Sequence, residues 1–379
     1  MDTLMLLANG FKPDPRVLKQ IRSLGKAGIR VTLLCLDRDC NQVPEEVFEG
    51  TRIFRIRVGR VRTGKALSIG RALTLFYLKS IVTLRRLHKS TPFQLIHCHD
   101  LDTMPVSALL SRIWRVPLVY DLHDLYSSYF KRVELQWITQ RIDQLFYRCS
   151  DRMVITHETF APVIGSRAQM VTLMNVPPRA GGGAADETDA GFFYAGNLDR
   201  MRDMRWAVPL LAECGIRVTF AGVGPLFEQY RQLDTTRAIQ FLGWITPEEV
   251  DETTRRCLAV LALYDTRVPN NRILAPNKLF DAMKFGKPAI VSDGTAMAEI
   301  VRKTASGVAV PYGDSGRLRE AIEQLKDHTT YARFSRNAYQ AFEDRYNWDL
   351  MEPRLISMYR ELARAEPGLP RASPGDPDI

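Results

Sequence analysis

Short apolar runs alternate with helical apolar periodicity through most of this chain. In the first half the pattern predicts strands at Thr3 to Ala8, Arg30 to Leu36, Ile53 to Val58, Gln94 to Cys98, Leu118 to Asp121, Met153 to Thr156 and Met170 to Met174. Helical patterns fall at Pro15 to Lys26, Ser68 to His88, Thr103 to Trp114, Val133 to Cys149 and Thr159 to Gly165. A stretch rich in Pro, Gly and small residues, Val176 to Ala190, interrupts the alternation and reads as a linker. Strands then fit Gly191 to Ala195, Arg217 to Gly222, Ile239 to Leu242, Leu258 to Ala262, Ala289 to Val291 and Val308 to Val310. Helices fit Trp206 to Glu213, Pro225 to Leu233, Pro247 to Arg255, Lys278 to Phe285, Arg317 to Lys326, Tyr331 to Tyr346 and, last, Asp349 to Ala363. Such alternation predicts an α/β fold of two doubly wound, Rossmann-like domains with parallel sheets covered on both faces. The expected division is 1–177, a linker at 178–190, 191–346, a closing helix at 347–364, and a disordered tail rich in Pro and Asp at 365–379.

Composition narrows the class. The 379 residues suffice for two domains, and 45% hydrophobic with 25% charged content is that of a globular protein. The six cysteines are scattered without a CxxC pair, which points to reduced thiols in a cytoplasmic setting rather than a disulfide scaffold or zinc site. Asp2 and Lys12 come too early for a signal peptide, and the most apolar run, Leu67 to Leu84, is broken by Arg71 and Lys79. The net charge of +9 is concentrated: Thr51 to His99 holds no acidic residue. The Ser68 to His88 segment inside it reads as a basic amphipathic helix. It fits either an anionic membrane surface or an ordinary domain helix with a solvated basic face. No nucleic-acid motif accompanies the charge.

In open parallel sheets, ligands bind beyond the carboxyl ends of strands, so residues just after strands are candidates. Gly10 follows the first strand and lets backbone approach a ligand, or is simply a turn. His99, Asp100 and Asp102 follow one strand, and His123 and Asp124 another; a histidine there can bind sugar hydroxyls or move protons near neutral pH. Asp100 and Asp102 form a DxD, as do Asp37 and Asp39. A divalent metal is one reading, and an aspartate capping the next helix is the other. In the second half, Asn197 and the arginines Arg200, Arg202 and Arg205 follow a strand, where an arginine could clamp a diphosphate. Gly222 and Gly224 suit a tight strand-to-helix turn with room for a ring or phosphate. Pro276-Asn277-Lys278 opens an apolar helix, and the amides of a helix start beside a lysine suit an anion.

Taken in order, these pieces resemble the GT-B glycosyltransferases, in particular the retaining family-4 enzymes, from Met5 to about Leu362. They are NGFKPDPRVLKQIRSLGKAGIRV, HCHD, VYDLHDLYSS, YAGNLDRMRD, AGVGP, FLGW, PNKLFDAMKFGKPAIVSD and AEIV. The resemblance implies a nucleotide-sugar donor held mainly by the C-terminal domain, an acceptor held mainly by the N-terminal domain, and a terminal helix crossing back. It places Gly10 at a phosphate-facing loop, His123 near the transferred sugar, and Asn197 and Arg202 at the diphosphate. It places Asn277, Lys278 and Leu279 where backbone amides cradle that diphosphate, and Asp281 where the second glutamate of an EX7E motif binds ribose. Arg16, His99, Asp100 and Asp124 are acceptor-side candidates. The chain departs from the pattern at three positions. Ile273 stands where the first EX7E glutamate would grip the sugar, Asn197 replaces an arginine, and Asp281 is a methylene shorter than glutamate. The implied chemistry is retaining sugar transfer with no metal or other cofactor, His123, Arg202 and Lys278 being catalytic. The acceptor is expected to be lipid-linked or a growing surface glycan, approached from the cytoplasmic face of a membrane through the basic 51–99 region. A nucleotide-sugar 2-epimerase and a non-catalytic partner subunit remain alternatives.

Overall fold

A computed structural model describes residues 1–12, 14–59, 66–130, 132–165, 169–181, 183 and 191–364, with backbone alone at 66–69. The expected tail at 365–379, linker positions 182 and 184–190, and Arg60, Arg62 and Lys65 of the basic stretch lie outside the described residues. The chain divides into two compact units: Met1–Leu173 together with the stretch from Glu352 onward, and Met174–Met351.

The first unit is built on an eight-stranded sheet. Its strands are β1 (Asp2–Leu7), β2 (Arg30–Asp37), β3 (Glu45–Phe48), β4 (Thr51–Arg57), β5 (Leu95–His99), β6 (Leu118–Leu122), β7 (Arg152–Ile155) and β8 (Met170–Thr172), in the order β3-β4-β2-β1-β5-β6-β7-β8. Its helices are α1 (Pro15–Lys26), α2 (Ala66–Ser90), α3 (Met104–Trp114), α4 (Val133–Tyr147) and α5 (Ala161–Ile164). β5 and β6 are buried along their whole length, as a parallel sheet covered on both faces requires. α1 starts where its cap dictates: the Asp14 carboxylate accepts the Arg16 amide, and Pro15 takes the first helical position. β3 departs from the expected parallel sheet. It pairs antiparallel with β4 at the edge, where a short, glutamate-rich strand needs only one ladder, so its sequence carries no apolar run.

The second unit has six strands, all paired in parallel. They are β9 (Gly191–Ala195), β10 (Arg217–Ala221), β11 (Ile239–Gly243), β12 (Ala259–Ala262), β13 (Ala289–Ser292) and β14 (Gly307–Val310), ordered β11-β10-β9-β12-β13-β14. The helices are α6 (Val208–Glu213), α7 (Phe227–Leu233), α8 (Pro247–Arg256), α9 (Pro269–Ile273), α10 (Asn277–Lys284), α11 (Ala296–Thr304), α12 (Ser315–Lys326) and α13 (His328–Asp344). α14 (Trp348–Arg364) begins in this unit and continues in the first. α9 and α11 have no counterpart in the apolar pattern. α9 is five residues of Pro-Asn-Asn-Arg-Ile, and α11 is nine residues behind a Thr295 cap.

The strand order reverses direction between β1 and β5 in one sheet and between β9 and β12 in the other. Crevices at the carboxyl ends of strands open at such reversals. His99 and His123 stand at the ends of β5 and β6, and Asn197 and Gly222 just beyond β9 and β10. The second unit's core holds these ends in place through an aromatic stack: the Phe220 ring meets Tyr194, Tyr230 and Phe241 at centroid distances of 5.4, 5.8 and 5.6 Å. Phe220→Ala is expected to cost about 3–5 kcal/mol of unfolding free energy in urea titrations, against about 0.5 kcal/mol for the exposed Leu242→Ala.

Candidate active site

The helix start singled out in the sequence is α10. Pro276 is its cap, and Leu279, Phe280, Ala282 and Met283 drive one face into the core. Gly286, at φ 62°, ends it in the left-handed conformation that glycine adopts without strain. The second residue of the helix is Lys278, 9% exposed. Its Nζ lies 3.8 Å from the Tyr194 ring centroid and 5.0 Å from that of Tyr264, and it has no hydrogen-bond partner among the described residues. Burial, reinforced by nearby Arg202, drives its pKa well below the ordinary lysine value, against the pull of Asp199 and Asp281. The first amides of a helix have no partner within it. Of the three expected amides, the Leu279 N–H donates to the Pro276 carbonyl at 3.2 Å. Asp281 is half-buried one turn further on.

Arg202 is held beside Lys278. Its guanidinium lies 5.5 Å from the Tyr264 centroid and donates to Asp199 at 2.7 Å. Asp199 also accepts the amides of Met201 and Arg202, and Tyr230 Oη donates to the Arg202 carbonyl, so the loop is pinned at both ends. Asn197 is exposed; its carbonyl accepts the Tyr194 hydroxyl at 2.8 Å. Arg205 is paired with Asp203 and Gln229, and Arg200 is exposed. Gly222 and Gly224 have a structural requirement of their own. A Cβ on either would overlap the carbonyl oxygen of Gly196 or Leu198, so the loops after β9 and β10 lie backbone to backbone.

The histidine side of the reading changes more. His97 and His99 lie two apart on β5, and Asp121 pairs with His99 in register across β6, so all three point to one side of the sheet. The two imidazoles stack at 4.6 Å, and Asp121 lies 3.6 Å from His97 Nε2 and 3.3 Å from His99 Nδ1. Gln20 donates to Asp121 at 2.8 Å, and Tyr359 of α14 shares a 2.6 Å hydrogen bond with His97 Nδ1. His123 sits between two carboxylates, with Nε2 3.1 Å from Asp121 and Nδ1 3.1 Å from Asp100. Burial and Arg16 oppose a charge on His123, but Asp100 and Asp121 outweigh them and raise its pKa to about 10. His123 is therefore a fixed imidazolium with both N–H groups engaged, not a proton carrier near neutrality. His97 is neutral, pushed by burial down to about 4. His99 is wholly buried, 3.3 Å from Asp121 and 3.5 Å from His123 Nε2. Sequence reading missed His97, Asp121, Gln20 and Asp14, whose spacing is that of ordinary strand and cap residues.

Other expectations are also revised. A Cβ added to Gly10 would meet only ordinary contacts; the left-handed residue of that turn is Phe11, whose amide donates to Asn9. Asp100 turns to His123 while Asp102 pairs with Arg38 at 3.0 Å, and Thr103, not Asp102, is the α3 cap residue. The DxD carboxylates thus serve separate partners. Of the described residues, His97, His99 and Asp121 bring ligand atoms within 4.8 Å of one another, with the His123 imidazolium beside the shared carboxylate. Arg16 is half-buried near His123, and Asp124 accepts from Tyr129 at 2.8 Å. The basic stretch is only partly available: Arg55 is buried, donating to the Gly10 and Val43 carbonyls, while Arg52 pairs with Glu45 and Arg57 with Asp37.

Two α/β units dominated by parallel strands are the architecture of the GT-B class. Residues 13–177 match the glycosyl transferase 4-like domain and residues 190–328 the glycosyl transferases group 1 domain. The chain belongs to the group 1 GT-B glycosyltransferases, which transfer a sugar from a nucleotide-sugar donor. No curated protein matches it in sequence. Among solved structures it is similar to sucrose-phosphate synthase from Thermosynechococcus elongatus (17% identity, 97% of this chain and 100% of that one, TM-score 0.81). It is also similar to Anabaena HepE in complex with UDP-glucose (15%, 95% and 99%, 0.71) and to WaaG, a glycosyltransferase of lipopolysaccharide biosynthesis (13%, 94% and 99%, 0.65). Among the described residues, no helix is long and apolar enough to cross a membrane.

The raised His123 pKa has a consequence for stability. The stabilisation it brings is fully present below the unfolded value of about 6.5 and is lost as pH rises through about 10. Urea unfolding across that window should show a steeper alkaline loss in the wild type than in His123→Gln; equal slopes would show that the imidazolium is not held by its carboxylates.

Proposed function

We propose that this enzyme moves a hexosyl group from a uridine diphosphate sugar with retention at the anomeric carbon and without a metal. The observation that carries this reading is the buried, unpartnered amino group of Lys278 at the start of α10, next to Arg202. Positive groups fixed before reaction stabilise charge that develops on a leaving diphosphate, because they need no reorganisation at that moment. Arg202 and the Asn277 and Lys278 amides fill that role, Lys278 joins them once it has taken up a proton with the diphosphate, and Asp281 takes the ribose. Gly222, Gly224, Asn197 and Gly10 shape the loops around the donor. With no carboxylate at Ile273, the sugar hydroxyls are gripped from elsewhere. His123 acts as a fixed positive charge toward the sugar, oriented by Asp100 and Asp121. The leaving phosphate accepts the proton of the incoming hydroxyl on the same face. HepE, similar in fold, is seen with UDP-glucose, which supports uridine as the base.

The acceptor is lipid-linked or a growing surface glycan, with Arg16, Asp100 and Asp124 on its side. The enzyme works in the cytoplasm, peripherally on the inner face of the plasma membrane. The exposed arginines of α2 (Arg71, Arg85 and Arg86) support this reading.

Arg202→Ala and Lys278→Met should each lower kcat on the matched donor on the order of 10²-fold or more, with unfolding transitions intact. Full turnover in both would remove the assignment. Lys278 also predicts proton uptake. Its depressed pKa rises when a diphosphate arrives, so UDP-glucose affinity should fall as pH rises, and calorimetry in buffers of different ionisation heat should register an absorbed proton. Lys278→Met should abolish that uptake.

A further inference from the structure

Helix α4 is turned inside out. Its buried positions are polar or amphipathic, Thr139, Asp143 and Tyr147 at a spacing of four, and Tyr120 of β6 lies 3.5 Å from the Asp143 carboxylate. Its outward face carries Val133, Trp137, Ile138, Ile142 and Leu145, which are 43–72% exposed. A surface helix of a globular protein shows the opposite arrangement. The neighbouring α3 packs against α4 and exposes Leu109 and Ile113. α2 packs against α3 and exposes Leu78 and Val82. Three neighbouring helices thus each expose more than one large apolar side chain, α4 most of all, where scattered single exposures would be the ordinary finding.

The charge around them has one sign. Arg85 and Arg86 on α2, Arg112 and Arg115 at the end of α3, and Arg132 and Arg148 at the two ends of α4 are all exposed. α2 and α3 contain no carboxylate, and of the two on α4 only Glu134 is exposed. Arg141 lies over the Trp137 ring at 5.2 Å, an apolar body with a cationic rim. A second copy docked through the same face would bring arginine against arginine, because a twofold interface repeats one patch on both sides. An anionic bilayer supplies the two things this face lacks: an apolar layer for the side chains of α4 and phosphates for the arginines.

We propose that α4, with α3 beside it, is the segment that enters an anionic lipid surface, its apolar side chains reaching the boundary between headgroups and acyl chains. This rests on the peripheral-membrane reading given above, but it moves the anchor from the basic α2 to the apolar face of α4. Tryptophan at such a depth is favoured because its ring is amphipathic.

The experiment is flotation of the full chain with phosphatidylcholine vesicles, with and without phosphatidylglycerol, at about 0.15 M and about 1 M NaCl. The wild type should float with the anionic vesicles and keep a measurable part of that binding at high salt, since apolar insertion is not screened. Trp137→Ser with Ile142→Ser should lower partitioning on the order of 10²-fold. Arg85→Glu with Arg86→Glu should weaken binding at low salt only. Trp137 emission should shift to the blue on binding and be quenched by brominated lipid in the wild type, and Trp137→Phe should lose that response; this holds the test even if the double variant fails to fold. Binding lost with the α2 variant but untouched by the α4 variant overturns the proposal and leaves the membrane reading standing. Absence of binding to any vesicle overturns both. Concentration-dependent dimers that Trp137→Ser abolishes, without vesicle binding, give the face to a second copy and also overturn it.

Discussion

A buried amine without a partner is costly to keep in a folded protein, and the second unit keeps one at Lys278. The cost is tempered by two aromatic faces, Tyr194 and Tyr264, whose rings accept a cation. It is increased by Arg202, a second positive group near the same tyrosine. Much of the surrounding architecture serves to hold this arrangement. Tyr194 is the third buried aromatic of β9 and stacks against Phe220 in the core. The loop carrying Arg202 is tied by Asp199 and Tyr230, and the glycines of the neighbouring loop let two backbones touch. A buried amine whose charge is disfavoured until an opposite charge arrives is matched to an anion and not to a neutral ligand.

The first unit handles buried charge the other way. Its carboxylates are already met: Asp121 by Gln20 and His123, Asp100 by His123. The pKa of Asp121 ends well below the ordinary carboxylate value, although burial alone would raise it, because His123 and the other histidines outweigh the desolvation. Such a network is rigid, and its function is orientation. Tyr359 joins α14 to it through His97, so the terminal helix is held to the first unit by a buried polar contact as well as by apolar packing.

Element type was legible at strands buried on both faces, as at β5, β6 and β9, and at α1 and α10, where a proline start precedes an apolar face. What escaped was β3, an edge strand of two glutamates with Val and Phe, and α9 and α11, which are only five and nine residues long. On the donor side the sequence pointed to Lys278 and Arg202 because a proline-started helix and an arginine-rich loop are local signals. On the acceptor side it pointed to His99 and Asp124 but passed over His97 and Asp121. Their importance comes from β5 and β6 lying in register, a relation between strands that no single segment displays. The inverted face of α4 was hidden for the same reason: Trp137, Ile138 and Ile142 look like core until the buried positions prove to be Thr139 and Asp143.

Lys278, Arg202 and the start of α10 are proposed as the seat of a diphosphate, and a crystal structure of the enzyme with UDP decides the matter. Phosphate oxygens should lie within hydrogen-bond distance of Lys278 Nζ, the Arg202 guanidinium and the Asn277 and Lys278 amides, with Lys278 drawn off the Tyr194 ring. UDP bound elsewhere, with Lys278 still seated over Tyr194 and Arg202 still closed on Asp199, would contradict it.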